Sequence, residues 1–124
     1  MGMHHETEKE QIELEGEKLK NAYKRILMGP EEGFKGYFMR VFELKSGGYT
    51  SEHKHPWPHI NYVVSGRGII RIDGKDNIAD AGTYGFISPN ALHQFVNDGV
   101  EPFKFICIVT EEGEMNYIAS SKDK

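Results

Sequence analysis

The placement of histidines is the feature of this sequence best suited to chemistry. Of the six histidines in the chain, three lie in the stretch H-K-H-P-W-P-H, and a fourth follows P-N-A-L further along. These four are His53, His55, His59 and His93. Neutral imidazole is the commonest protein ligand for first-row transition metals. The grouping therefore predicts a metal site closed by two distant parts of a β fold.

The spacing of the first three histidines has a geometric interpretation. Alternate side chains of a strand share a face, so His53 and His55 are predicted to point the same way. Pro56 and Pro58 do not fit a central strand, so P-W-P is predicted to bend and to bring His59 back toward them. A lone strand histidine is more often packed or exposed than ligating. Three in this arrangement, with a fourth on a second strand, favour ligation.

The pattern of the rest of the chain predicts short strands separated by Gly- and Pro-containing turns. Such a pattern is typical of an all-β sandwich or barrel. The predicted strands are residues 22–28, 37–44, 60–64, 68–73, 78–79, 84–87, 92–96 and 103–110, with a possible edge strand at 11–14. D-G-K at 73–75 predicts a hairpin turn. A helix over 11–25 is an alternative, although Gly16 interrupts it. We expect a polar segment at 1–20, one barrel domain at 21–115 and a polar tail at 116–124.

The histidine-rich stretch resembles the first motif of the cupin superfamily. That motif runs from glycine through H-x-H to a glutamate, and then to an apolar strand that ends in glycine. Here Gly47 and Gly48 precede the first two histidines, and residues 60–66 form the strand with its closing glycine. The position of the family's glutamate falls on His59.

The second cupin motif is matched as well. Three residues fall at its glycine, histidine and asparagine positions: Gly82, His93 and Asn97. Ser88 takes the place of the motif's proline, with Pro89 one residue later, and Asn90 replaces a glycine. Because asparagine tolerates the left-handed backbone that glycine usually supplies, that exchange is physically mild.

This resemblance implies a cupin double-stranded β-helix, or jelly-roll barrel. With His59 in the glutamate position, the chain looks like small bacterial cupins that hold manganese with four histidines. One divalent transition metal per chain is then implied, manganese first, with iron, zinc, nickel or copper as alternatives. Four neutral ligands leave the charge of the ion unbalanced, so an anionic small-molecule ligand is expected. The resemblance also suggests a homodimer.

Strand alternation predicts which side chains line the interior. The predicted inward residues of the later strands are Asn61, Val63, Phe95, Phe105, Cys107 and Val109. Cys107 is interpreted as a small buried hydrophobe, or alternatively as a thiol open to oxidation near the metal. Trp57 is expected to act as packing or a lid, with a substrate contact as the alternative. Arg40 could point inward toward a substrate carboxylate or outward into a dimer contact.

Composition narrows the function further. The net charge is −4 and there is no basic stripe, so binding to nucleic acid is not expected. No apolar run is long enough for a membrane span. The single cysteine excludes an internal disulfide, which fits a cytoplasmic protein.

Four ligands on an octahedral ion leave two positions open, which could hold a chelating substrate, or a substrate beside dioxygen. The leading hypothesis is a mononuclear metal-dependent oxidoreductase of dioxygenase type acting on a small oxygenated molecule. The alternatives are a non-catalytic metal- or metabolite-binding module and a redox-neutral isomerase or hydrolase. The last needs a general base, and Tyr62 and Glu52 have outward parity.

Overall fold

A computed structural model describes residues 2–115 of the chain, and β-strands dominate it. The strands of this part, numbered in chain order, are β1 (Ile12–Glu13), β2 (Lys20–Met28), β3 (Tyr37–Tyr49), β4 (His59–Ser65), β5 (Arg67–Ile72), β6 (Lys75–Asp80), β7 (Tyr84–Ile87), β8 (His93–Val96) and β9 (Phe103–Thr110). Two short 3-10 turns lie at Glu6–Glu8 and Pro30–Glu32. None of the helices in the described part is long and apolar enough to cross a membrane.

The strands form one curled antiparallel sheet in the order β6-β5-β8-β3-β9-β4-β7, with β2 added to β3 and β1 to β2. The 13-residue strand β3 lies in the middle of this strand order. Its first part pairs with β2 and β9, and its last residue, Tyr49, pairs with Val96 of β8. One long strand therefore belongs to both halves of the curl. The fold is the all-β jelly-roll barrel that the sequence predicted.

The core follows the alternation of the strands. On β9 the residues Phe103, Phe105, Cys107 and Val109 are buried, while the residues between them are partly exposed. Phe105 stacks on Phe95 of β8 at 4.3 Å between ring centroids, a contact of about 0.5–1.5 kcal/mol beyond the area it buries. This aromatic packing holds β8 and β9 together behind the histidines.

Several boundaries differ from the predicted ones. Strand β3 continues to Tyr49 instead of ending at residue 44, because Tyr49 still pairs with Lys20 of β2 and with Val96 of β8. Strand β6 is six residues long rather than two, since its whole length pairs with β5 across a hairpin. Asp73 and Gly74 at that turn both have positive φ, as a type I′ turn requires. Residues 111–115 are helical, and the predicted tail at 116–124 lies outside the described residues.

Candidate metal centre

The four histidines come from three places in the barrel. His59 is the first residue of β4, and His93 is the first residue of β8. His53 and His55 lie in the connection between β3 and β4. They point the same way, as predicted, but not through the alternation of a regular strand: His53 forms only an isolated bridge with His93, through two backbone hydrogen bonds of 2.9 and 3.0 Å. The prolines that follow cannot donate a ladder hydrogen bond, so pairing does not continue.

The turn before His93 secures the other end of the connection. Asn90 has a left-handed φ of 66°, in keeping with its exchange for a motif glycine. In that conformation its backbone N–H donates to the carbonyl oxygen of His55 at 2.7 Å. The two sequence motifs are therefore tied together by backbone contacts on both sides of the histidine cluster.

The imidazole rings of the four histidines converge. Nitrogen atoms of His53, His55 and His93 lie within 4.8 Å of one another. His59 joins them, because its Nε2 is 3.2 Å from Nε2 of His93 and its ring centroid is 5.4 Å from that of His55. The structure thus places His59 beside the cluster of His53, His55 and His93, in contact with the ring of His93.

A hydrogen bond at Nδ1 sets the tautomer of each ring. The acceptors are the carbonyl oxygen of Ser51 for His53 (2.9 Å), that of Trp57 for His55 (2.8 Å), Oδ1 of Asn61 for His59 (2.8 Å) and the carbonyl oxygen of Ala91 for His93 (2.9 Å). Because an oxygen acceptor requires the proton on Nδ1, each Nε2 keeps its lone pair. This is the arrangement that orients metal-ligating histidines.

The spacing of these lone pairs fits a shared ion. Two imidazole nitrogens bound at about 2.1 Å from one ion lie about 3.0 Å apart at adjacent octahedral positions, and about 3.4 Å apart in a tetrahedron. The separation of 3.2 Å between the Nε2 atoms of His59 and His93 lies between these values. Two lone pairs facing each other at this distance repel unless a cation lies between them. The cluster is therefore compatible with a divalent transition metal.

The electrostatic surroundings keep the rings neutral. Burial lowers the pKa of His55 and of His59 to about 4 and that of His93 to about 3. Positive charge adds to this effect: the Arg40 guanidinium lowers the pKa of His59, and repulsion from a proton on any of the other histidines lowers that of His93. At neutral pH the Nε2 lone pairs of these three rings are free of protons and available to a metal.

The histidines face a cavity of about 460 Å³. Seven of the predicted lining residues border it, namely Arg40, Trp57, Asn61, Phe95, Phe105, Cys107 and Val109. Val63 does not. Although it shares the inward parity of His59 and Asn61, it lies further along β4, where it is 1% exposed and packed in the hydrophobic core.

Some residues that line the cavity were not predicted from the sequence. Leu14, Glu15 and Leu19 line the cavity because the connection from β1 to β2 folds back over it, and no local pattern indicates that contact. Phe42 also lines it, and this residue could have been found, since it lies two positions from Arg40 on the same face of β3. The remaining lining residues are Thr50, Ser51, Lys54 and Gly113.

Arg40 points inward, not into an outer contact. It is 6% exposed, and its Nη2 donates to Sγ of Cys107 at 2.6 Å. Sγ of Cys107 is in turn 3.5 Å from Nδ1 of His59. Nη1 of Arg40 contacts a carboxylate oxygen of Glu114 at 3.4 Å, and Lys24 contacts the other oxygen at 3.1 Å. No local sequence pattern indicates this buried ion cluster, because its members are 67 to 90 residues apart or lie on different elements.

Trp57 serves as packing beside the cluster. Its ring stacks on that of His55, with centroids 4.8 Å apart and planes at 11°. On its other side lies Gly113, where even a methyl group would come within 2.7 Å of the indole. The helical residues after β9 therefore support the orientation of His55.

Comparison with known proteins agrees with this fold and site. Residues 40–109, more than half of the chain, match the family model of the cupin domain. The chain therefore belongs to the cupin family. No curated protein matches it at a significant level.

Solved structures show the same fold. The polyketide cyclase RemF from Streptomyces resistomycificus superposes with a TM-score of 0.81 at 23% identity, over 89% of this chain and 79% of that one. A predicted oxalate decarboxylase from Thermotoga maritima gives 0.75 at 22% identity, over 86% and 96%. A sugar phosphate isomerase from Silicibacter pomeroyi gives 0.67 at 20% identity, over 73% and 60%. At these identities the likeness concerns the barrel and not the reaction.

Proposed function

We propose that this cupin is a mononuclear metal-dependent oxidoreductase of dioxygenase type, acting on a small, partly apolar molecule with adjacent oxygen atoms. The observation that supports it is the histidine cluster bordering a 460 Å³ cavity, in which nitrogens of three histidines lie within 4.8 Å of one another and Nε2 of His59 is 3.2 Å from that of His93. Seven of the other lining residues are aromatic or aliphatic, so the metal would bind the oxygens of the substrate while these apolar side chains hold its body.

The donor set leads us to assign the site to the four-histidine, manganese-binding type. His53, His55, His59 and His93 would hold the ion, and it would supply Lewis acidity and, if redox-active, activation of dioxygen. Imidazole also binds zinc, nickel and copper, and the Irving–Williams order places them above manganese and iron. The metal found after purification will therefore reflect availability as well as function.

The chain's own residues favour an anionic substrate. The four ligands are neutral, and Arg40 adds positive charge at the cavity wall beside His59. Among the described lining residues the carboxylate is that of Glu15. An enolate or carboxylate would therefore be attracted to this wall, while Phe42, Phe95 and Phe105 exclude water from the rest of the cavity.

Oxygen uptake tests this proposal. Protein loaded with manganese or iron should consume dioxygen with a diketone, catechol or enediol, and the metal-free protein should not. A His93→Ala variant, which lacks one ligand, is the matched control for oxygen consumed by free metal. No uptake with any of these substrates in the loaded protein would contradict the oxidative assignment.

A redox-neutral reaction is the second candidate, favoured by one observation. Glu15 borders the cavity with a carboxylate able to move a proton, whereas Tyr62 and Glu52 are not among the lining residues. The structural neighbours described as a cyclase and an isomerase make this chemistry plausible on the same barrel. An isomerised product formed without oxygen, and lost in Glu15→Gln but kept in Glu13→Gln, would select it. Tight binding of a metabolite without turnover would instead indicate a binding module.

A further inference from the structure

A buried carboxylate lies just outside the histidine cluster and is not among the ligands. Glu114, in the helical residues after β9, is 0% exposed. One of its oxygens accepts from Nζ of Lys24 at 3.1 Å, and the other contacts Nη1 of Arg40 at 3.4 Å. Lys24 and Arg40 are themselves 3% and 6% exposed. Burying three charges is costly, so such a cluster is weak evidence for stability alone.

The cluster reaches a metal ligand through one sulfur atom. Nη2 of Arg40 donates to Sγ of Cys107 at 2.6 Å. The same sulfur lies 3.5 Å from Nδ1 of His59, the nitrogen that does not face the metal site. The contacts thus run from Glu114 through Arg40 and Cys107 to His59. A shift of the Arg40 guanidinium would therefore move Cys107 Sγ and change its contact with Nδ1 of His59.

We propose that Glu114 is a positioning residue of the metal centre. It holds the Arg40 guanidinium against Cys107, and it offsets part of the positive charge that Lys24 and Arg40 place beside a divalent ion. With Glu114 these three side chains carry a net charge of +1, and without it they carry +2. The inference rests on the proposed metal-binding function and concerns how that site tolerates four neutral ligands and no carboxylate.

Charge-matched variants separate this role from packing. Glu114→Gln raises the net charge of the cluster to +2, Lys24→Met lowers it to 0, and the double variant returns it to +1. Metal affinity should therefore fall at least tenfold in Glu114→Gln, a typical loss for a partner of a ligand. It should be undiminished in Lys24→Met and within about threefold of wild type in the double variant. Glu111→Gln, exposed on the same helical segment, is the matched control.

The measurements are the dissociation constants for Mn²⁺ and Co²⁺ by chelator competition, the visible spectrum of the Co²⁺ protein, and the melting temperature of the metal-free protein. A purely structural role predicts that Lys24→Met weakens binding as much as Glu114→Gln, and that outcome would overturn the inference. So would a Glu114→Gln variant that binds metal like Glu111→Gln.

The remaining outcomes are also decisive. If Glu114→Gln does not fold, Lys24→Met and the double variant still test whether metal affinity follows the net charge of the cluster. Neither of them buries a larger net charge than the wild type. If the wild type binds metal but the metal affinities of the variants do not follow the net charge of the cluster, only the proposed role of Glu114 is refuted. A wild-type protein that binds no metal refutes the proposed function as well.

Discussion

Each histidine of the cluster has its chemistry set by one neighbour. A carbonyl or amide oxygen accepts a hydrogen bond from the Nδ1–H group, so the ring can use only Nε2 toward the cavity. Three of these acceptors are backbone atoms two residues away in sequence. The connection between β3 and β4 and the turn before β8 therefore fix both the position and the tautomer of the rings. Few other side chains are needed to prepare the site for a metal.

Removing two ligands should abolish stoichiometric metal binding. The His59→Ala/His93→Ala variant leaves two imidazoles, too few to hold a divalent ion against dilution and buffer. We expect less than a tenth of an equivalent of metal by elemental analysis after gel filtration. The His4→Ala/His5→Ala variant, which removes two exposed histidines, should keep a full equivalent. A full equivalent in the first variant would show that the cluster is not the site.

The buried histidines also predict how the metal-free protein responds to acid. His59 and His93 have folded-state pKa values of about 4 and 3, against 6.5 in the unfolded chain. Below pH 6.5 the unfolded chain therefore binds protons that the native state excludes. Stability falls with decreasing pH, by up to about 1.4 kcal/mol per pH unit for each histidine.

Urea unfolding in chelator between pH 7.5 and 5.5 measures this slope. Above pH 6.5 the two histidines should contribute no pH dependence, and below it the free energy of unfolding should decline. His59→Gln/His93→Gln should flatten the decline, whereas His4→Ala/His5→Ala should not change it. An equally steep slope in the first variant would mean that other groups are responsible.

At the scale of elements, local sequence patterns predicted the features that depend on residues close together in the chain. Alternation in β9 predicted the inward side of Phe105 and Cys107, and the two motifs predicted which histidines meet. Strand alternation does not explain why His53 and His55 point the same way, because prolines downstream remove the donors that continued pairing needs. Glu114 could not be predicted, since its partners come from β2 and β3, some 90 and 74 residues away.

The helical segment after β9 is expected to be coupled to the histidine connection. A Gly113→Ala methyl would come within 2.7 Å of the Trp57 ring and of a Val109 methyl group, so the indole must move. We expect a loss of about 1–3 kcal/mol of stability from overpacking, with a shifted emission of Trp57, the only tryptophan in the chain. Gly85→Ala, where the added carbon meets nothing within 4 Å, is the control. An unchanged emission spectrum and melting temperature in Gly113→Ala would contradict this coupling.

At the scale of the whole molecule, one outer face of the barrel is unusually apolar. It consists of neighbouring side chains on β4 and β7, with Ile60 opposite Phe86 and Tyr62 opposite Tyr84, and with Val64 beyond them. These five are 44% to 79% exposed. At about 200 Å² for each fully exposed side chain, they present on the order of 550 Å² of apolar surface. That is near the upper limit for a monomer.

The neighbouring part of the same sheet is already occupied by the chain itself. Glu6 pairs with Lys104 of β9, and the carbonyl oxygen of Lys9 accepts from Arg25 of β2, so the N-terminal segment lies across that half. The half formed by β4 and β7 has no such cover from residues 2–115. Because it is uncharged, it needs no complementary partner, and a second copy placed by a two-fold axis would match it. Two copies would bury on the order of 1,100 Å², above the roughly 1,000 Å² expected of a specific interface.

We therefore expect a homodimer through the β4–β7 face. Light scattering at micromolar concentration should give twice the chain mass of 14.1 kDa. Phe86→Glu should yield a folded monomer, because two buried carboxylates would face each other across the axis. Val100→Glu, at an apolar residue 81% exposed in the β8–β9 connection, should remain dimeric. A wild-type monomer at these concentrations would contradict the assignment. So would a Phe86→Glu dimer, because the two copies would then meet through another face.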